Sequence, residues 1–572
     1  MASSTSPEPE IWCSGPILEA VQRANIFADC KHFVDSPLLV EPQECWRRWH
    51  ALPQPVPPDA LSAFVNETFG PPGHDLDPWS PPDHQTTPEL LARLPAGAVR
   101  DWAAALNNLW PVLGRKLSDA TLAHPARTTL LPVRHPFVVP GGRFREAYYW
   151  DTYWVVQGLL TVDMWQTAAS TTRNLLDAAR TYGFVPNGLR RYYLNRSQPP
   201  LLTQMVDALI ASAPSAEEAA ALLEEALPVL DGEYAWWMRT GVNGSAVHLD
   251  ASTGRPAATL NRYVVETDAP RPESWREDVL TAAAAAGRSH ASVYAELAAG
   301  AETGWDYSSR WLDANHAPAS LALSDAEACD PPTEPLCTIR TSSILAVELN
   351  AILYRNEVRL EALHTRAHHT EPAARYAAAA AARRTAMDAW MWSDASGFWH
   401  DVNWRLGVAL PHESAASYMP LWAGAHGEAQ AERAVGVLAA SILLQPGGVA
   451  TTLEKTGQQW DWPNAWPPLQ QMLVEGLAGC EADGAAELAE DLALRWLRSN
   501  HRGWARDGVM REKYDATRPG ESGGGGEYTP QVGFGWTNGV ALWLLERYGD
   551  SFARSLTAPA SSEKCTAIGD GG

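Results

Sequence analysis

Six stretches of this chain each combine carboxylates, arginines or side-chain amides with aromatic rings. Residues 140–154 read PGGRFREAYYWDTYW and set Arg143, Arg145, Glu146 and Asp151 among Phe144, Trp150 and several tyrosines. Residues 186–200 (PNGLRRYYLNRSQPP) bring Asn187, Arg196 and Gln198, and residues 268–278 (DAPRPESWRED) bring Arg271 and Glu273. Residues 302–311 (ETGWDYSSRW) centre on Asp306, with Gly304 beside it, and residues 457–468 (GQQWDWPNAWPP) hold Trp460. Residues 510–539 carry Glu512 and Glu527 around a run of four glycines. Planar polar groups grip paired hydroxyls, and flat aromatic faces pack on the C–H faces of sugar rings. Taken singly, an arginine beside a carboxylate in such a loop is more often an ion pair that ties loops together. Six of them in one chain point to a pocket for a polyhydroxyl ligand.

Competing chemistries lack their residues. The 16 histidines are scattered, with no HExxH, and no GxSxG elbow occurs. The glycines at 523–526 are not followed by Lys-Ser/Thr, so they form no phosphate loop. Seven cysteines make no metal-ligand pattern; Cys329 and Cys337 bracket a loop short enough for a local disulfide. A balance of 67 acidic to 44 basic residues, for a net charge of −23, argues against nucleic acid, which needs a basic face. What remains is carboxylate chemistry.

The scaffold for these loops reads as helix. Apolar residues recur at helical spacing over 99–117, 149–161, 164–181, 201–213, 216–229, 276–300, 340–362, 372–393, 428–443, 465–478, 484–498 and 536–548. Strand-like runs are few and short. About a dozen helices separated by long Pro-, Gly- and Trp-rich loops suggest a toroid of paired helices with the loops gathered at one end. No fixed-period repeat marks a solenoid. One domain is expected over 1–550, with 551–572 (small and polar) frayed. No run is long and apolar enough to span a membrane. The opening MASSTSPEPEIWCSG lacks the basic and apolar regions of a signal peptide, which leaves a cytoplasmic protein and a secreted one with its leader removed both open. Oligomeric state is not readable.

The stretch PGGRFREAYYWDTYW resembles the first signature of the trehalase family, and QWDWPNAWPP resembles the second. RPESWRED, ETGWDYSSRW, and EKYD followed by GGGGEY and GFGWTNGV are similar to other stretches of that family, so the likeness covers nearly the whole chain. It implies an all-α fold, an (α/α)6 barrel with the active site at one end. It implies Asp306 as general acid and Glu512 as general base in the inverting hydrolysis of α,α-trehalose, the two carboxyls ~6.5–9.5 Å apart. Sugar contacts are implied for Arg143, Phe144, Trp150, Asp151, Asn187, Arg196, Gln198, Arg271, Glu273, Gly304, Trp460 and Glu527. No metal or other cofactor is implied. Another α/α-barrel glucoside hydrolase, a disaccharide phosphorylase and a non-catalytic trehalose binder are the alternatives. The glycine-rich loop from Gly520 to Tyr528 is expected to act as a lid carrying Glu527 and Tyr528.

Overall fold

A computed structural model describes residues 11–251, 255–313 and 335–557. Twelve of its helices alternate between an inner and an outer ring. The outer members are α1 (Ala98–Asn107), α3 (Trp165–Tyr182), α5 (Ala216–Trp237), α7 (Thr370–Trp390), α9 (Glu428–Ala440) and α11 (Ala485–Asp507). The inner members are α2 (Tyr149–Thr161), α4 (Leu202–Ala211), α6 (Val347–Arg366), α8 (Met419–Ala423), α10 (Pro467–Ala478) and α12 (Gly535–Thr557). Each inner helix touches the next, and α12 closes the ring on α2. This is the (α/α)6 barrel. The inner helices are apolar on nearly every face because they have neighbours on both sides, whereas α3 and α11 bury one stripe only. Helices α2 and α12 pack closely at Gly158 and Gly539: a Cβ on Gly158 would lie 2.4 Å from the Cα of Gly539, and one on Gly539 2.1 Å from Trp154 O.

Several boundaries differ from the periodicity. The stretch 99–117 breaks after Asn107: Pro111 lacks an N–H, and Gly114–Leu117 pairs with Leu76–Pro78 and Phe137–Val138 in a small sheet. The stretch 276–300 is two helices, Trp275–Ala284 and His290–Glu302, parted at Gly287, whose φ of +76° lies in the left-handed region. Helix α5 runs past Pro228 to Trp237. Helix α12 continues to Thr557, so the expected frayed tail does not begin at 551; the rest of that tail lies outside the described residues. Cys337 is disulfide-bonded, while Cys329 lies outside the described residues. Among the described residues no helix is long and apolar enough to cross a membrane.

Four short helices, Gly15–Arg23, Cys30–Val34, Pro42–His50 and Pro58–Thr68, build a second apolar cluster. It shares Tyr148, Tyr192, Tyr193 and Trp275 with the barrel's loops. A buried charge network fastens the two together. Lys31 Nζ donates to Asp35 at 2.7 Å and to Glu146 at 2.6 Å, and Arg190 pairs with Glu146 at 2.9 Å and Asp75 at 3.0 Å.

Candidate active site

The segments that lead into five of the inner helices supply one cavity of about 700 Å3. Residues 143–148 precede α2, whose first turn holds Trp150 and Asp151; 187–198 precede α4; 271–306 lie ahead of α6; Trp460 and Trp466 precede α10; and 512–534 precede α12. The barrel therefore aims the starts of its inner helices, where helix dipoles are positive, at a site rich in carboxylates. The fourteen residues to which the family resemblance assigns catalysis or sugar contact all line this cavity.

Asp306 and Glu512 share the cavity but not their surroundings. Glu512 is 1% exposed; its Oε1 accepts from Tyr528 Oη at 2.6 Å and its Oε2 from the Gln531 N–H at 2.9 Å. Burial raises its pKa, opposed by Lys513, these two donors and Arg143. Among the described residues the Asp306 carboxyl receives no side-chain donor, and the one backbone N–H that acts on it is its own. Burial, then the Glu527 charge, push it up to about 7 against the pull of Arg271 and Arg196. One carboxyl is thus built to be solvated by fixed dipoles as an anion, and the other to keep its proton near neutrality. Asp151 is a third acid between them. Burial and the charges of Glu512 and Asp306 drive it well above the carboxylate range.

The loop of Asp306 is held from below by Asp461, whose carboxylate accepts from Ser308 Oγ at 3.0 Å, Ser309 N at 2.9 Å and Thr452 Oγ1 at 2.9 Å. Gly304 adopts φ +74°, and a Cβ there would meet the Trp150 ring at 2.7 Å. Around the acids, three arginines are each fixed by a carboxylate. Arg143 forks onto Asp29 at 2.7 Å through both nitrogens. Arg196 pairs with Glu273 at 2.5 Å and donates to Asn187 Oδ1 at 2.8 Å. Arg271 bonds Asp278 at 2.6 Å and Glu527 at 3.0 Å. Their remaining donors converge on the cavity as a rigid set, suited to hydroxyl recognition. Gln198 Oε1 accepts from the Trp150 N–H at 3.1 Å, which ties the α4 approach to the first turn of α2.

The sequence model of the Trehalase family matches residues 25–549. The chain belongs to the trehalase family. It is 40% identical to a trehalase of Homo sapiens over 549 residues, covering 95% of this chain and 90% of that one. It is 39% identical to a periplasmic trehalase of Pseudomonas aeruginosa over 540 residues, covering 94% and 90%. Among solved structures, neutral trehalase from Saccharomyces cerevisiae superposes with a TM-score of 0.58 at 27% identity, over 74% of this chain and 75% of that one.

In this trehalase-family site the glycine-rich loop lies folded over the cavity and is bonded at several points. Asn464 Nδ2 donates to Gly524 O at 2.9 Å, and the Gly524 N–H donates to Asn464 Oδ1 at 3.0 Å. Glu527 is held by Arg271 and by Ser274 Oγ at 3.0 Å. Gly525 has φ +75°, and a Cβ on it would sit 2.3 Å from Gly457 O. Gly525 and Gly526 allow close approach to residues 457–459, whereas a Cβ at Gly524 would meet nothing. Glycine at 525 and 526 thus has a steric role in seating the loop that carries Glu527 and Tyr528.

Sequence reading missed Asp29, Lys31 and Trp536 as neighbours of the site, and it gave Arg145 and Glu146 a place among candidate groups although neither lines the cavity. Glu146 is fully buried in the Lys31–Arg190 network, facing away from the cavity. Asp29 lies 114 residues from Arg143 in a stretch with no compositional signal.

Proposed function

We propose that this chain hydrolyses α,α-trehalose to two glucose molecules with inversion, Asp306 acting as general acid and Glu512 as general base. The observation that carries this reading is the asymmetry of the two carboxyls within one cavity: Glu512 accepts from the Tyr528 hydroxyl and the Gln531 N–H, whereas among the described residues Asp306 has only its own backbone N–H and is pushed up to about 7. Asp306 gives its proton to the bridging oxygen as that C–O bond breaks. Water attacks the anomeric carbon from the opposite face and passes its proton to Glu512. The family membership supports trehalose as the substrate. The fixed arginine–carboxylate pairs support a site that rejects epimers, since an unmatched hydroxyl leaves buried polar groups unpaired. The same reading assigns sugar contacts to Arg143, Phe144, Trp150, Asp151, Asn187, Arg196, Gln198, Arg271, Glu273, Gly304, Trp460 and Glu527, and treats the N-terminal cluster and barrel as one domain.

Proton NMR on fresh product tests it. One β-glucose and one α-glucose should appear per trehalose before mutarotation, at a rate indifferent to added phosphate. Release of α-glucose alone would make Glu512 a nucleophile in a retaining reaction, and a requirement for phosphate would make the enzyme a phosphorylase.

A further inference from the structure

Two parallel links join the acid loop to the segment of the base. The first is aromatic. Trp305 stacks on Trp460 at 5.3 Å and 18°, and Trp460 on Trp466 at 4.0 Å and 2°. A cation caps each end of this stack. The Arg310 guanidinium lies 4.4 Å from the Trp305 ring and Lys513 Nζ 4.8 Å from the Trp466 ring. The stack therefore begins one residue before Asp306 and ends one residue after Glu512. The second link is a single buried amide. Gln459 Nε2 donates to the Asp306 carbonyl, and Gln459 Oε1 accepts from Lys513 Nζ at 2.8 Å. Asn464–Ala465, paired antiparallel with Tyr514–Asp515, fixes the register between the two segments.

Lys513 is fully buried, and among the described residues it forms no ion pair at contact distance. Its other bonded partner is Gly525 O at 3.3 Å. An ammonium buried on neutral oxygens and an indole face is costly, so its charge must be used elsewhere. Of the two carboxyls that act on it through space, Glu512 comes first and Asp306 contributes only when ionised, and the Tyr528 ring is 6.0 Å away. Glu512 in turn faces Lys513, Tyr528 from the glycine-rich loop, Arg143 from the turn before α2, and Asp151 from α2. Arg143 is already neutralised by the fork onto Asp29, which leaves Lys513, among the described residues, as the cation beside Glu512 with no carboxylate in contact.

We propose that Lys513 is a positioning residue that decides which carboxyl of the pair holds the proton: its ammonium, seated by Gln459 and Trp466, keeps Glu512 ionised, while Gln459 ties that charge to the backbone of Asp306. The proposal rests on the reading of Asp306 as acid and Glu512 as base. Burial pulls Lys513 down to about 8, so the charge persists at neutral pH and is lost above it.

The test is the pH profile of kcat/KM in the full chain. Lys513→Met should move the acid limb upward by about one pH unit or more, the effect of removing an opposite charge at ~4–6 Å. Above that limb the KM for trehalose should stay within about threefold of the parent, because no sugar contact is lost. Lys513→Arg, if folded, should restore the limb. Should Lys513→Met fail to fold, Gln459→Met, which unseats the ammonium without removing it, should move the limb in the same direction by less. A lysine of purely structural value would lower the melting temperature and kcat and leave the limb in place; an unmoved limb in whichever variant folds overturns the proposal. Glu512→Gln is run alongside. If it keeps parental activity, the acid–base reading fails instead, since the limb then belongs to another group.

Discussion

Tyr528 donates its phenolic hydrogen to Glu512 Oε1 across 2.6 Å, so the loop that covers the cavity also holds the proposed base. A hydrogen bond to a charged group contributes about 1.5–3 kcal/mol, so Tyr528→Phe should cost roughly 10- to 100-fold in kcat/KM near the acid limb. The missing donor raises the pKa of Glu512, so the loss should shrink as pH rises past the new limb. Steady-state kinetics across pH check this; a loss uniform at all pH values would mean that Tyr528 acts on substrate and not on the base.

Asp306→Asn and Glu512→Gln should each reduce kcat by ~10²–10⁴-fold with little change in KM, because only the proton transfer is removed. Glucose release at saturating trehalose, with a melting curve for each variant, measures it.

Activity should follow a bell in pH whose alkaline side reports loss of the proton held among the cavity carboxyls, Asp306 chief among them. The acid must be protonated, and burial has pushed it up to about 7, so kcat/KM should fall as pH rises through that value. Because the cavity carboxyls interact, the two limbs belong to the group and not to single residues.

The same shift affects stability. A carboxyl whose pKa is higher in the folded than in the unfolded chain stabilises the fold below the unfolded value, and that contribution is lost as pH rises through the folded value. The melting temperature of Asp306→Asn relative to the parent should therefore climb from pH about 4 to pH about 7 and level off above. Calorimetry at several pH values shows the slope; a flat difference would place the Asp306 pKa at its ordinary value.

Gly525→Ala should raise KM and lower kcat together, by about tenfold in kcat/KM, because a side chain at φ +75° and 2.3 Å from Gly457 O displaces the loop that carries Glu527 and Tyr528. Kinetics beside a melting curve separate this from a global effect: the barrel helices do not depend on the loop, and melting should change little.

The inner helix α2 was legible to the residue, since an apolar run of the right length with Asp151 in its first turn has one comfortable reading. Helix α8 was not, because Met419–Ala423 is a single turn inside a long loop and shows no period. The Pro-rich start of α10 and the Pro111 break after α1 show that proline marks an edge without saying whether it opens or closes a helix. In the site, residues inside dense aromatic motifs were found because composition advertises them. Lys513 could be seen beside Glu512 in the sequence, but its place over Trp466 depends on a stack assembled from three separate loops. Asp29 was invisible for the same reason, since its partner Arg143 is chosen by packing and not by spacing.

The fork between Asp29 and Arg143 also bears on how this protein can be cut and recombined. The twelve-helix ring is geometrically closed without the first hundred residues, and it would look like a cassette that can be lifted out whole. It is not one, because a wall of its cavity is brought by Ala28, Asp29, Cys30 and Lys31. An engineered chimera that grafts the barrel behind a foreign leader must keep the Cys30–Val34 helix and the residues before it, or leave an unpartnered guanidinium beside the base.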